Sequence, residues 1–312
     1  MESTAHTLVN LAVILQTYGQ FDEALTCAEA AYRLDPADKR VVKLYAEALL
    51  RRGDLARGWP LFTTAHTRYD WLSPTVPEWH GEPLADRRLL VFAYGGNGDN
   101  IYFLRFLLNL PATTFVTFLS PPTLAPLART LGIDVVENWN GNFDLDFARY
   151  DYHTPINAIP QYQSVTYENF FAGPSFLRVE PRPRFHLRRR TGFCWRAGEG
   201  KSPRYTRSLN WDQRQRILAR LPRRYVDLSD LSGSWLDTAA LIASLDRVVT
   251  VDTGVAHLAG ALGVPTSVIL PGASAWHYPV GWPRHPFYPS MHMFHRCREG
   301  MDAAVDLLLE VL

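Results

Sequence analysis

The stretch Arg247–Pro265, RVVTVDTGVAHLAGALGVP, carries the strongest local signal for the fold of this chain. Its first residues form a short, mostly apolar run that ends at Val251 and predicts a buried strand. Asp252 and Thr253 are residue types that cap the N-termini of helices, and Gly263 is typical of a helix end. A strand that leads directly into a capped helix indicates an α/β domain with a parallel sheet.

The start of this predicted helix is suited to an anion. The first N–H groups of a helix have no partner within the helix, and the helix dipole is positive at that end. Gly254 would allow a ligand to approach the backbone, and His257 lies one turn beyond Thr253 on the same face. The position favours a diphosphate, with Asp252, Thr253, Gly254 and His257 as the candidate residues. The alternative is a simple capped helix with His257 packed in the core.

Strands and helices alternate along most of the remaining chain. Apolar runs predict strands in the first half at Arg88–Tyr94, Thr114–Leu119 and Ile133–Val136. In the second half they predict strands at Gly192–Arg196, Tyr225–Leu228, Arg247–Val251 and Ser267–Leu270. The basic segment between the halves, Pro181–Arg190, is interpreted as a linker and not as a nucleic-acid-binding patch. We predict two Rossmann-like domains, residues 71–182 and 183–312, with a cleft at the carboxyl ends of their sheets.

The N-terminal stretch repeats itself with a period of 34 residues, which is the spacing of tetratricopeptide repeats. Ala12 aligns with Ala46, and Gly19 aligns with Gly53. We predict α-helical tetratricopeptide repeats over residues 1–70. Two interpretations stay open, because repeats bury their faces on neighbours. The helices form a surface for a protein partner or an acceptor, or they cap or dimerise the domain that follows.

Bulk composition narrows the class of protein. Charged residues make up 20% of the chain and the net charge is +1, which gives no reason to expect binding to nucleic acid or to a membrane surface. Three widely spaced cysteines argue against a disulfide framework. The N-terminus lacks the pattern of a signal peptide, and no apolar run reaches the roughly 18 residues of a membrane span. We therefore expect a cytoplasmic protein.

The segment Trp235–Leu270 resembles the donor-binding region of heptosyltransferase-like enzymes, glycosyltransferase family 9, and is closest to bacterial relatives with an N-terminal tetratricopeptide domain. Three other segments resemble that family in the same order: PEWHGEPLADRRLLVFAYGGNGDNIYFLRF, YDYHTPINAIP and PFYPSMHMF. The resemblance implies a GT-B fold of two Rossmann-like domains. It also implies an inverting, metal-independent transfer of a sugar from a nucleotide-diphosphate sugar, without a bound cofactor, to an acceptor hydroxyl. A protein or glycan acceptor is possible, and a lipid-linked glycan or a small molecule also stays open.

The same resemblance implies roles for residues outside the helix start. The family's catalytic aspartate falls on Asp99 in a Gly-rich turn, and Gly98 of that turn is implied to contact the donor. A carboxylate that faces the cleft can act as the base on the acceptor hydroxyl, although Asp99 can also be a helix cap. Lys201 and Arg207 can neutralise the leaving diphosphate, and a solvated basic loop is the alternative.

Two segments depart from the family pattern. Tyr94–Gly96 stands where relatives often carry Glu-Gln-Gly, and Ala275–Tyr278 stands where they often carry Asp-Trp-Arg-Trp. The site is therefore remodelled, which leaves open a non-catalytic GT-B-fold scaffold that acts through its helical repeats. The family motifs count against a third class, the nucleotide-sugar epimerases. The sequence predicts no metal site, since no zinc-binding spacing relates His285, His292, His295 and Cys297.

Overall fold

The chain begins with four helices. The structure, a computed structural model, describes residues 2–66, 75–138, 141, 143–170, 175–181, 190–198, 207–272, 274–295 and 298–312. The helices α1 (Glu2–Thr17), α2 (Phe21–Leu34), α3 (Lys39–Arg51) and α4 (Leu55–His66) form what we call the helical unit.

The helix ends and helix contacts of the helical unit agree with the repeat in its sequence. Gly19 and Gly53 end the first helix of each pair at φ angles of +67° and +84°, a backbone region that glycine adopts without steric cost. Ala12, Ala24 and Ala31 are buried, and their small side chains allow the helices to approach closely. The structure therefore shows paired helices here, whereas their assignment as tetratricopeptide repeats stays a prediction.

A four-stranded parallel sheet forms the first half of the body. Its strands are β1 (Arg88–Phe92), β2 (Phe115–Ser120), β3 (Asp134–Glu137) and β4 (Tyr152–Pro155), in the order β3-β2-β1-β4. The connecting helices are α5 (Asn97–Leu107), α6 (Ala125–Arg129) and α7 (Ile159–Tyr162). Because all pairings are parallel, the carboxyl ends of the four strands lie at one edge of the sheet.

A six-stranded sheet forms the second half. Its strands are β5 (Thr191–Cys194), β6 (Tyr225–Asp227), β7 (Arg247–Val251), β8 (Thr266–Leu270), β9 (Arg284–His285) and β10 (Tyr288–His295). Its helices are α8 (Trp211–Leu218), α9 (Trp235–Ile242), α10 (Gly254–Ala261) and α11 (Gly300–Leu309). The strand order is β6-β5-β7-β8-β10-β9, and only the pairing of β9 with β10 is antiparallel.

This element order confirms the predicted α/β class with two mostly parallel sheets. Strand β7 has the predicted bounds, while β4 and β10 lie in segments that the sequence pattern does not predict as strands. The domain boundaries at 70/71 and 182/183 stay predictions, because both lie outside the described residues. Across the described ranges, no helix combines the length and the apolar character needed to cross a membrane.

One hydrophobic core joins the helical unit to both sheets. It includes Trp59 and Phe62 of α4, Phe103 of α5 and Trp276, which follows β8. The ring centroid of Trp276 lies 5.6 Å from that of Trp59 and 4.7 Å from that of Phe62. Aromatic pairs at such distances add to the free energy gained from burial. The helical unit is therefore packed firmly against the body of the protein.

Candidate active site

A cleft of about 410 Å³ lies between the two halves of the body, which is within the usual size range of small-molecule sites. Cys194 and Ser229, at the carboxyl ends of β5 and β6, form part of its wall. The start of α10 contributes Thr253 and Gly254, and Asn97 at the start of α5 lines it from the first half. The N-termini of two helices from different halves therefore face one cleft, an arrangement that favours an anion.

The two helix starts touch at a pair of glycines. A Cβ atom on Gly98 would lie 3.1 Å from Gly254 Cα, and a Cβ atom on Gly254 would lie 2.5 Å from Trp235 Cη2. Close packing of Trp235 thus requires a glycine at position 254, a different reason from the ligand approach expected from sequence. The N–H of Trp235 also donates to Thr123 O at 2.9 Å, which bridges the two halves.

Thr253 and a neighbouring arginine shape the second-half wall of the cleft. Thr253 caps α10, since its Oγ1 accepts a hydrogen bond from the Val255 N–H at 3.1 Å. Arg196 follows β5, is exposed, lines the cleft and pairs with Asp230. No motif in the sequence singles out Arg196. Its position as the last residue of a predicted strand, at the carboxyl edge of the sheet, is the signal that could have identified it.

His257 lies behind the start of α10 and is not among the residues that line the cleft. Its exposed fraction is 3%, and its ring stacks on Tyr278 with centroids 5.5 Å apart. Burial is the main cause that lowers the pKa of His257 well below its ordinary value, and the charge of His277 acts in the same direction. His257 is therefore neutral near pH 7. The structure places it in the core, the alternative that the sequence left open.

Asp252 and Arg207 form an ion pair at the end of β7. Arg207 Nη1 lies 3.7 Å from Asp252 Oδ1, and Asp252 is buried. Burial raises the pKa of the Asp252 carboxyl, and the neighbouring Arg207 partly opposes this effect. Asp252 thus fixes the guanidinium of Arg207 near the start of α10. The predicted phosphate contact Lys201 lies outside the described residues.

Asp99 lies in the first turn of α5, where two groups hold its carboxylate. Its Oδ2 accepts a hydrogen bond from the Gly96 N–H at 2.7 Å, and its Oδ1 lies 3.0 Å from His277 Nε2. Burial would raise the pKa of the Asp99 carboxyl, but the interactions with His277 and the Gly96 N–H more than offset it, and the pKa is lowered. The side chain is 29% exposed, so Asp99 is an ionised carboxylate that reaches solvent, although it is not among the residues that line the cleft.

His277 is the functional candidate that the sequence analysis does not assign. It lies in Ala275–Tyr278, the segment that departs from the family pattern, and its side chain is 7% exposed. Its ring packs on Trp276 at a centroid distance of 3.9 Å and on Tyr102 at 4.9 Å. The sequence marks this segment as unusual, but only the fold shows that His277 meets Asp99.

Other histidines near the cleft have identifiable partners. His285 Nε2 lies 2.9 Å from His277 O, and His285 Nδ1 lies 3.1 Å from the Phe287 N–H that donates to it. This pattern places the ring proton of His285 on Nε2. Within the described ranges, no group of three His, Cys, Asp or Glu side chains is arranged to hold a metal ion, and Cys297 lies outside those ranges.

Comparison with known proteins identifies a limited family match. The family model Glycosyltransferase family 9 (heptosyltransferase) matches residues 233–273, which contain α9, β7, α10 and β8. Protein FlbA of Caulobacter vibrioides is 23% identical over 344 aligned positions, which cover 88% of this chain and 56% of that protein. The chain thus spans little more than half the length of this relative.

Several solved structures share features of this fold at low sequence identity. E. coli ADP-heptose LPS heptosyltransferase II has a TM-score of 0.42 and 16% identity, covering 72% of this chain and 96% of that one. The iron-containing dodecameric glycosyltransferase TibC from enterotoxigenic E. coli has a TM-score of 0.46 and 12% identity, covering 69% and 64%. A Thermobaculum terrenum O-GlcNAc transferase has a TM-score of 0.36 and 15% identity, covering 97% and 82%. These TM-scores are low, so we take the fold from the strand order alone.

Proposed function

We propose that this protein is a glycosyltransferase that moves a sugar from a nucleotide-diphosphate sugar to an acceptor hydroxyl group with inversion at the anomeric carbon. The observation that carries this proposal is the cleft at which α5 and α10 both begin. Two helix N-termini there direct their positive dipole ends toward one anion. The family match over residues 233–273 includes the start of α10 and supports the same activity.

The donor fits this cleft by its chemistry. The diphosphate lies at the start of α10, where Thr253 and Gly254 line the cleft, with Arg207 held nearby by Asp252. Leu228 and Leu231 line another part of the cleft and provide apolar contacts for a nucleoside. Fixed cations and helix dipoles stabilise the negative charge that develops on a leaving diphosphate.

Asp99 is the base in this proposal. It is ionised, partly exposed and placed at the start of α5, across from α10. It accepts the proton of the acceptor hydroxyl as the acceptor oxygen forms its bond to the anomeric carbon. The bond from that carbon to the diphosphate breaks on the opposite face, and this in-line displacement inverts the configuration.

We also propose that the transfer requires no metal ion, because Arg207 and the two helix starts supply the positive charge that a metal would supply. Excess EDTA followed by desalting should leave the rate of nucleoside diphosphate release unchanged. A lost rate that divalent cations restore would overturn the metal-independent mechanism while leaving the transferase assignment intact.

A panel of nucleoside diphosphates and nucleotide sugars in a thermal-shift assay tests the donor site. A ligand at a hundredfold excess over its Kd stabilises the folded state by about 2.7 kcal/mol and raises the melting temperature measurably. We expect at least one base series to stabilise the protein, with a smaller shift for Arg207→Met. If no member of the panel stabilises the chain, the scaffold interpretation replaces the transferase.

A further inference from the structure

The carboxylate of Asp99 is held at both oxygens. The Gly96 N–H donates to Oδ2 from the same turn, while His277 Nε2 meets Oδ1 from the other half of the molecule. His277 has a 7% exposed side chain, whereas that of Asp99 is 29% exposed. Asp99 is therefore the more accessible member of the pair, and His277 is its buried partner.

We propose that His277 is a positioning residue that orients the Asp99 carboxylate for proton transfer, and that the helical unit fixes His277 in that place. The inference rests on the proposed transferase function, because it assigns Asp99 as the base. It gives a role to the segment Ala275–Tyr278 that differs from the family pattern: an imidazole stands where relatives often carry an arginine.

Three hydrogen bonds, two with Arg51 and one with His285, fix the backbone around His277. Arg51 of α3 donates from Nη2 to Ser274 O at 2.8 Å, and the Val280 N–H donates to Arg51 O at 2.9 Å. His285 Nε2 donates to the carbonyl of His277 itself. A side chain oriented by this many contacts loses little freedom when it binds its partner, which is the requirement for a preorganised site.

Aromatic rings fix the imidazole plane of His277. Trp276 stacks on it with planes 27° apart, and Tyr102 meets it edge to face. Trp276 in turn packs on Trp59 and Phe62 of the helical unit. The helical unit thus supports the Asp99–His277 pair by both hydrogen bonds and packing, a role distinct from partner binding.

The pair is surrounded by further ionisable groups that a pH experiment must include. Those that face Asp99 or His277 come from α3, α5, α10, the end of β7 and the segments after β5 and β8: Glu47, Tyr102, Arg207, Asp252, His257, Tyr278 and His285. Burial raises the pKa of Glu47, and nearby Lys43 and Arg51 oppose this effect. Variants of His277 must therefore be compared at several pH values.

Two variants and two measurements test this inference. In His277→Ala, the lost contact should raise the pKa of the Asp99 carboxyl, which ¹³C NMR of labelled aspartate measures without any turnover. The acid limb of kcat/KM should move to higher pH, and kcat should fall about tenfold or more with little change in the donor KM. His277→Gln, which keeps a donor at the ring Nε2 position, should recover part of both effects. The exposed His80→Gln is the matched control.

The outcomes separate this inference from the proposed function. A wild-type protein that turns over no donor refutes the transferase, whereas an unchanged Asp99 pKa in His277→Ala refutes the positioning role in either case. If His277→Gln is as inactive as Asp99→Asn at every pH, His277 itself transfers the proton, and the positioning role is wrong. If the alanine variant fails to fold, His277→Leu, which fills more of the space without a donor, gives the same comparison.

Discussion

Gly98 and Gly254 set how closely the starts of α5 and α10 approach each other. Neither residue is in the left-handed region of φ. Glycine is therefore needed at these positions because a side chain would not fit, and not because the backbone is unusual. A side chain on Gly98 would meet backbone atoms of Gly254 at 3.1 and 3.4 Å. Backbone cannot give way as a flexible side chain can, so the residue type at this position controls the width of the cleft.

Gly98→Ala should therefore weaken donor binding by about tenfold, since one added methyl group in a tightly packed contact costs on the order of 1–3 kcal/mol. Isothermal titration with the best nucleotide from the thermal-shift panel measures this change. Gly198→Ala is the matched control, because Gly198 lines the same cleft and a Cβ there meets nothing within 4 Å. If Gly98→Ala and Gly198→Ala bind the nucleotide with equal affinity, the two helix starts do not form the donor site.

At the scale of elements, α3 is joined to the segment after β8 by Arg51. This arginine is 5% exposed, contacts Ser274 O and lies over the Phe21 ring with its Cζ 5.0 Å from the centroid. Its neighbour Arg52 is more exposed and pairs with Asp22 at 3.1 Å on the surface. Two adjacent arginines, the last residue of α3 and the one after it, thus have different energetic roles.

Arg51→Met should lower the free energy of unfolding by about 1–3 kcal/mol, because it leaves a buried carbonyl without its charged donor. Arg52→Met should cost less than about 1 kcal/mol, as is usual for surface ion pairs. Urea denaturation of the two variants beside wild type makes the comparison. If Arg51→Met and Arg52→Met lower the free energy of unfolding equally, Arg51 does not anchor the helical unit to the body.

Some elements can be predicted from sequence because the residues that determine them are neighbours in the chain, and others cannot because distant residues determine them. Strand β7 and helix α10 are predicted from sequence because an apolar run, a cap and a terminal glycine occur within one short segment. Strand β10 contains Pro289 and two histidines, so its pattern does not indicate a strand, and its parallel pairing with β8 fixes it. The contact between Asp99 and His277 depends on how two distant segments pack, and no local pattern reports it.

At the scale of the whole molecule, the helical unit and both halves of the body share one core, and a half-buried histidine lies at one of their contacts. His295, at the end of β10, packs near Phe21 of α2 with ring centroids 5.9 Å apart. Burial lowers the pKa of His295 to about 4, although the carbonyls of Gly272 and Pro271 partly oppose this effect. The unfolded chain therefore takes up this proton at a higher pH than the folded chain.

The lowered pKa of His295 makes the free energy of unfolding depend on pH. His295 should contribute full stability above its ordinary pKa, and that contribution should fall as the pH decreases toward 4. For a histidine with these two pKa values, the loss between pH 7 and pH 5 is about 2 kcal/mol. Urea denaturation at both pH values measures the free energy of unfolding. Between pH 7 and pH 5 this free energy should fall less in His295→Asn than in wild type, by about 2 kcal/mol. The exposed His80→Asn should behave as wild type, and the same drop in all three proteins would contradict the assignment.

The most direct test of the account is the release of nucleoside diphosphate from the donor that stabilises the protein best. Wild type should release it in the presence of acceptor. Asp99→Asn should bind the donor with nearly unchanged affinity and release it at least about a hundredfold more slowly, as expected when a general base is removed. Full activity in Asp99→Asn, or tight donor binding by wild type without release in the presence of any protein or glycan acceptor, would contradict the proposed transferase.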